Sequence, residues 1–292
     1  MKKLNKILLI LSLVLCLGGG LLIGVGAFAG GIDEAQEIAG ARMQHYDQEK
    51  TQLDEFSALD VDLAICDMEI RPSDDEHAYL EYHVYAPADH NPIHATITDA
   101  TLQLSDEDFS LENNLGSTNV QQILTGFLWI LPDDERESYA DGGGIILYLP
   151  PSTLTSVQLT LAMGDLSIDG LQASQFAADI ALGSLDLTNT TLGLSEIDLA
   201  MGTLTGDNLT FNGVATIEVS TGNAELTLSP ESSNGLLIDA TTDMGDISAP
   251  ESLGGNLLDT DDVVANHYRR TPQGTPTGNL SINAEMGEII FH

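Results

Sequence analysis

The chain has 292 residues, 42% apolar but only 5% aromatic, with 45 acidic residues against 9 basic ones and a net charge of −36. Such a surface repels phosphate backbones and anionic headgroups, which excludes direct nucleic-acid binding. The two cysteines, Cys16 in an apolar run and Cys66 in a predicted strand, form neither a disulfide framework nor a cysteine-rich metal site.

Lys2, Lys3 and Lys6 precede a run from Ile7 to Ala29 that holds no charge across 23 positions. That run is long enough to cross a bilayer as one helix. The Lys cluster stays cytoplasmic and the bulk of the chain faces outward. The rival reading is a secretory signal cleaved after Ala27-Phe28-Ala29. The length of the apolar run favours a retained single-pass anchor in the cell membrane over 1–30. Ile32, Ala35, Ile38, Ala39 and Met43 then fall at helical spacing, which predicts a juxtamembrane helix or spacer over 31–55.

From 56 onward the chain reads as strands. A Gly-centred unit recurs at Gly164, Gly183, Gly202, Gly222, Gly245 and Gly287. Five residues before each glycine stand Leu159, Ala178, Ile197, Ile217, Ala240 and Ile282. Three before stand Leu161, Ile180, Leu199, Val219, Thr242 and Ala284; two after stand Leu166, Leu185, Leu204, Ala224, Ile247 and Ile289. Alternation on both sides of the glycine predicts strand, kink, strand and polar turn. One such unit has too small an apolar face to bury alone, whereas stacked units build a continuous core. The fold class is all-β, a β-solenoid of single-coil repeats over 56–292, placed as an ectodomain after one transmembrane helix. Stacking sets like residues above like, and Met163, Met201, Met244 and Met286 are expected to form an interior row.

The earlier residues enter the scheme imperfectly. In the stretch Val61–Ile70, Cys66 falls in the glycine column, and in Ile97–Leu104 Ala100 does so. Both read as decayed copies at a capping end. Ala78 to Ala86 and Ile145 to Leu149 alternate as strands. Insertions near 105–144 and 252–278 break the rhythm. The first carries Trp129 and the acidic group Asp133, Asp134, Glu135; the second carries Asp259, Asp261, Asp262, His267, Arg269 and Arg270.

The Met-Gly-Asp-Leu type repeats, the Leu149-Pro150 strand end and the closing Gly287-Glu288-Ile289 resemble a bacterial family of β-strand-repeat envelope proteins, the "putative adhesin" domain of unknown function. The resemblance covers Phe56 to Phe291. It implies a β-solenoid outside the cell membrane with a role in the envelope, and it carries over no catalytic residue.

No motif in the sequence specifies a reaction. His83, His90 and His94 lie close in sequence, but Pro87 and Pro92 break any helix that would align them, so they read as solvated. The acidic insertions offer oxygen ligands for Ca²⁺ without the spacing of a known calcium loop. Asp165, Asp246 and Glu288 follow the repeat glycine and read as exposed turn positions. No catalytic, cofactor-binding or metal-ligating residue is assigned. The expected function is a membrane-anchored binding or scaffold module, for adhesion or envelope stress, and not an enzyme. The alternatives are a structural stalk or oligomerising element, and a polysaccharide-acting enzyme using Arg269 and Arg270 beside Asp259 to Asp262. The partner's identity and the oligomeric state stay open.

Overall fold

The computed structural model describes residues 44–86, 91–106, 144–259 and 266–292. All but Gln44 belong to one compact unit, His45–Ser110 with Gly142–His292. The strands in chain order begin with β1 (Gln44–Gln52), β2 (Ala58–Ile65), β3 (Asp67–Pro72), β4 (Tyr79–Ala86), β5 (His94–Thr98) and β6 (Thr101–Ser105). After the first insertion come β7 (Gly144–Leu149), β8 (Thr153–Leu154), β9 (Ser156–Met163), β10 (Leu166–Asp169), β11 (Gln172–Leu182) and β12 (Leu185–Thr188). β13 (Thr191–Phe211) and β14 (Val214–Leu228) run through the kink without a break. A short helix α1 (Pro230–Gly235) leads to β15 (Leu236–Met244), β16 (Ile247–Ser248), β17 (Asn256–Asp259), β18 (Asn266–Arg270), β19 (Gly278–Met286) and β20 (Ile289–Phe291).

The protein is all-β, and successive repeats pair in parallel and in register. Ala178 stands beside Leu159 and Ile197, Ile197 beside Ile217, and Leu166 beside Leu185. The three apolar columns named above are all buried, at 8% exposure or less. Each fully buried Leu or Ile contributes about 1.5–3 kcal/mol, which makes these ladders the main source of stability.

At its six repeat positions the glycine column requires glycine. Its members take φ between +139° and +157°, and a Cβ on any one would collide with a carbonyl oxygen of the neighbouring repeat. At this corner the backbone ladder is completed by side chains. Asp165 N–H donates to Asp67 Oδ1 at 2.8 Å, Ser184 N–H to Asp165 Oδ1 at 2.8 Å, and Glu288 N–H to Asn223 Oδ1 at 3.0 Å. A short acceptor one residue after the glycine therefore holds the next repeat.

Spatial order departs from sequence order at both ends. β2 lies between β6 and β9, and β3 between β7 and β10, so the first repeat is interior to the segment that follows it in sequence. At the far end β19 lies between β14 and β15, and Gly287 sits between Gly222 and Gly245. The long Gly245–Gly287 interval thus holds no missed repeat. It holds an antiparallel hairpin, β17–β18, that closes the edge of β15. At the opposite end β5 closes β6, and β4 closes β7, also antiparallel.

Three expectations are corrected. Gln44–Gln52 is a strand paired with β4, so the juxtamembrane helix or spacer predicted over 31–55 is not helical there; residues 31–43 lie outside the described ones. Ala100 is not in the glycine column: with Asp99 it makes the left-handed turn joining β5 to β6, at φ 59° and 51°. The methionine row faces solvent instead of the interior. Met163, Met201, Met244 and Met286 are 38–52% exposed. The chain turns outward two residues before each glycine, so the strand alternation ends one residue earlier than a continued period of two predicts.

Cys66 does occupy the glycine column: its N–H donates to Met163 O at 3.1 Å, and its carbonyl faces Gly164 as each glycine faces the next. Among the described residues no helix is long and apolar enough to cross a membrane, and the Ile7–Ala29 run lies outside them.

Candidate functional site

Of the histidines expected to be solvated loop residues, His83 and His94 lie on strands instead. His83 is on β4, where its Nδ1 lies 2.6 Å from Asp47 Oδ1 and its Nε2 3.6 Å from Glu81. The hydrogen bond to Asp47 raises its pKa above the ordinary imidazole value. His94 is on β5 and lines an open groove of about 400 Å³ with Asp60, Asp62, Thr96, Gln103 and Ser105. His90, Trp129 and the Asp133–Glu135 group lie outside the described residues, as do Asp261 and Asp262. Among the described residues no three metal-ligating side chains converge.

The two arginines proposed for carbohydrate chemistry have structural partners. Arg270 is 8% exposed, and donates from Nε to Leu253 O at 2.8 Å and from Nη1 to Leu236 O at 2.7 Å. It ties the closing hairpin to the start of β15. Beside it Tyr268 is buried, its hydroxyl on Gly254 O and its ring 5.8 Å from that of Phe291. Asp239 Oδ1 lies 2.9 Å from His267 Nε2, and Arg269 Nε approaches Asp239 Oδ2 at 3.9 Å. These contacts fasten β18 to β15.

Asp165 and Glu288 are exposed, as expected of turn positions. Asp67, in the same row, has its pKa raised by burial first and by the Asp165 charge, against the lowering effect of the Asp165 N–H. Asp246 ends the row, with Asn266 Nδ2 3.4 Å from its Oδ1. The Cys66 thiol is pushed far above its ordinary range by burial, then by Asp106 and Asp67, which suppresses the reactive thiolate.

A carboxylate ladder was not singled out from the sequence. Four residues before the glycines, Asp179, Asp198 and Glu218 stand side by side on the outer face of β11, β13 and β14. The pKa of Asp198 is raised by burial, then by Glu218, Glu196 and Asp179. The repeat alignment already places these acids in one column; reading the outward columns as carefully as the inward ones reveals the row.

From Gly144 to Asp259 the sequence contains no Lys, Arg or His. The central repeats thus present carboxylates with no basic side chain of their own, beside the exposed methionines. Among the described residues neither pattern assembles a nucleophile, a base and an orienting group.

The model of the Toastrack DUF4097 family matches residues 56–249 and 98–289, and the chain belongs to this family. No curated protein matches. Among solved structures, a "putative cell adhesion protein" from Clostridium sporogenes is 16% identical over 85% of this chain and 99% of its own, with a TM-score of 0.41. A "putative adhesin" from Bacteroides fragilis is 12% identical over 86% of this chain and 97% of its own, with a TM-score of 0.31.

Proposed function

We propose that the chain is a binding module of the bacterial cell envelope: a β-solenoid carried outside the membrane on the Ile7–Ala29 span. The observation that carries this reading is the division of labour within each repeat. Inward columns build an apolar ladder, the glycine fixes the corner, and outward columns face solvent, where a partner can reach them. Family membership supports the repeat architecture, and the uncharged run after Lys2, Lys3 and Lys6 supports the anchor and its orientation.

The test has two arms. Protease added to intact spheroplasts is expected to degrade residues 56–292, while protection until lysis rejects the outward placement. Chemical cross-linking on intact cells, followed by capture of the full chain, is expected to recover an envelope component that is lost when residues 56–292 are deleted. An unchanged capture profile after that deletion rejects the binding role and favours the structural-stalk alternative.

A further inference from the structure

We infer that the methionine row is a docking ridge for a helical segment whose apolar stripe is bordered by Lys or Arg. In spatial order the row runs Met163, Leu182, Met201, Thr221, Met286, Met244. Leu182 stands beside Met201, Met201 beside Thr221, Thr221 beside Met286, and Met286 beside Met244. Gly164 N–H bonds to Leu182 O and seats Met163 next to Leu182. At about 4.8 Å per strand the row is about 24 Å long, which about 16 helical residues span. Each of its five apolar members is 38–52% exposed. Unbranched thioethers in a line adapt to an apolar partner with little loss of packing.

Charge complementarity selects the occupant. Acids border the row on both sides: Asp243 and Glu285 precede Met244 and Met286, while Asp165, Asp246 and Glu288 follow the glycines. Asp179, Asp198 and Glu218 lie one outward position further on. With no Lys, Arg or His between Gly144 and Asp259, the repeats that carry Met163, Leu182, Met201, Thr221 and Met244 offer no counter-charge of their own. A second copy of this face brings like charges together, and an anionic lipid surface is repelled for the same reason. An apolar stripe flanked by cations matches the ridge in the middle and at both borders.

The inference rests on the binding-module reading but is tested separately from it. The full chain, labelled with ¹³C at the methionine methyls, is titrated with a helical Leu/Lys peptide carrying one Leu stripe. The expected result is shifts at Met163, Met201, Met244 and Met286 with none at Met68, which is 1% exposed. A Leu/Glu peptide of the same pattern and a Lys/Ser peptide of the same charge are expected to leave all five signals in place. Replacing the four exposed methionines by Gln is expected to weaken Leu/Lys binding at least tenfold, at an unchanged unfolding midpoint. The combined changes Asp243→Asn, Asp246→Asn, Glu285→Gln and Glu288→Gln are expected to do the same. Equal shifts with Leu/Glu, equal affinity for Lys/Ser, or unchanged affinity in either variant overturns the inference. Retention of the cross-linked envelope component by the four-Gln variant removes the ridge and leaves the binding module standing.

Discussion

The repeats from β9 to β14 and the pair β15 and β19 share one local design but are threaded differently. In the first region each repeat stacks on its predecessor in sequence. In the second, α1 carries the chain past an empty slot to β15, the hairpin β17–β18 turns it back, and β19 fills the slot between β14 and β15. Both regions pair in parallel with glycine on glycine. A ladder of in-register apolar columns therefore specifies which surfaces meet without specifying which repeat comes next. The connections decide the order, and the Gly222–Gly245 interval is lengthened by the residues of α1.

The largest expected effect breaks the second region alone. Deleting Gly278–His292 removes the strand that β14 and β15 share. Hydrogen exchange is expected to show Leu236–Met244 unprotected while β9 to β13 keep their protection; uniform protection contradicts the threaded order. Next comes a substitution that treats both regions alike. Gly222→Ala places a Cβ against the Gly202 carbonyl at φ 139°, and a loss of about 4 kcal/mol is expected in urea unfolding.

A smaller effect is confined to the closing hairpin. Arg270→Ala leaves the carbonyls of Leu253 and Leu236 without their donor, and a loss of about 2–3 kcal/mol is expected by the same measurement. The smallest gain belongs to the central region. Asp198→Asn relieves the like-charge row and is expected to raise stability at neutral pH by about half a kilocalorie per mole after solvent screening. The folded-state pKa of Asp198 lies above its reference of 3.8, so the folded form holds this proton more tightly than the unfolded one. The contribution of Asp198 to stability therefore falls as pH rises from 3.8 through that raised value, and the advantage of the Asn variant disappears below 3.8.

Much of the interior was legible in the sequence. The columns headed by Leu159, Leu161 and Leu166 are buried as their alternation required, and Cys66 stands where the glycine column put it. Cys66 fills that position without a positive φ, so the column tolerates a side chain at its first member. The methionines were misread because a period of two says nothing about where a strand stops alternating, and here it stops at a four-residue outward corner. The exchange of neighbours at both ends was illegible because the columns match equally well in either order. The antiparallel pair β17–β18 was hidden for a related reason: its strands lack the repeat glycine and the parallel register. The acidic outer face was legible in composition, as an absence of basic residues, but its arrangement into rows required the register.

The placement of β19 sets a schedule for assembly. Synthesis delivers the chain from its N-terminal side, so β9 to β14 can be completed while later residues are still to come. β15 arrives before the strand that must separate it from β14. Until Gly278–Phe291 has emerged, β14 and β15 present matching open edges to each other, and their premature pairing competes with the native order. Completion of this end of the molecule is thus coupled to delivery of a late segment, which gives the fold an internal check that the segment has arrived.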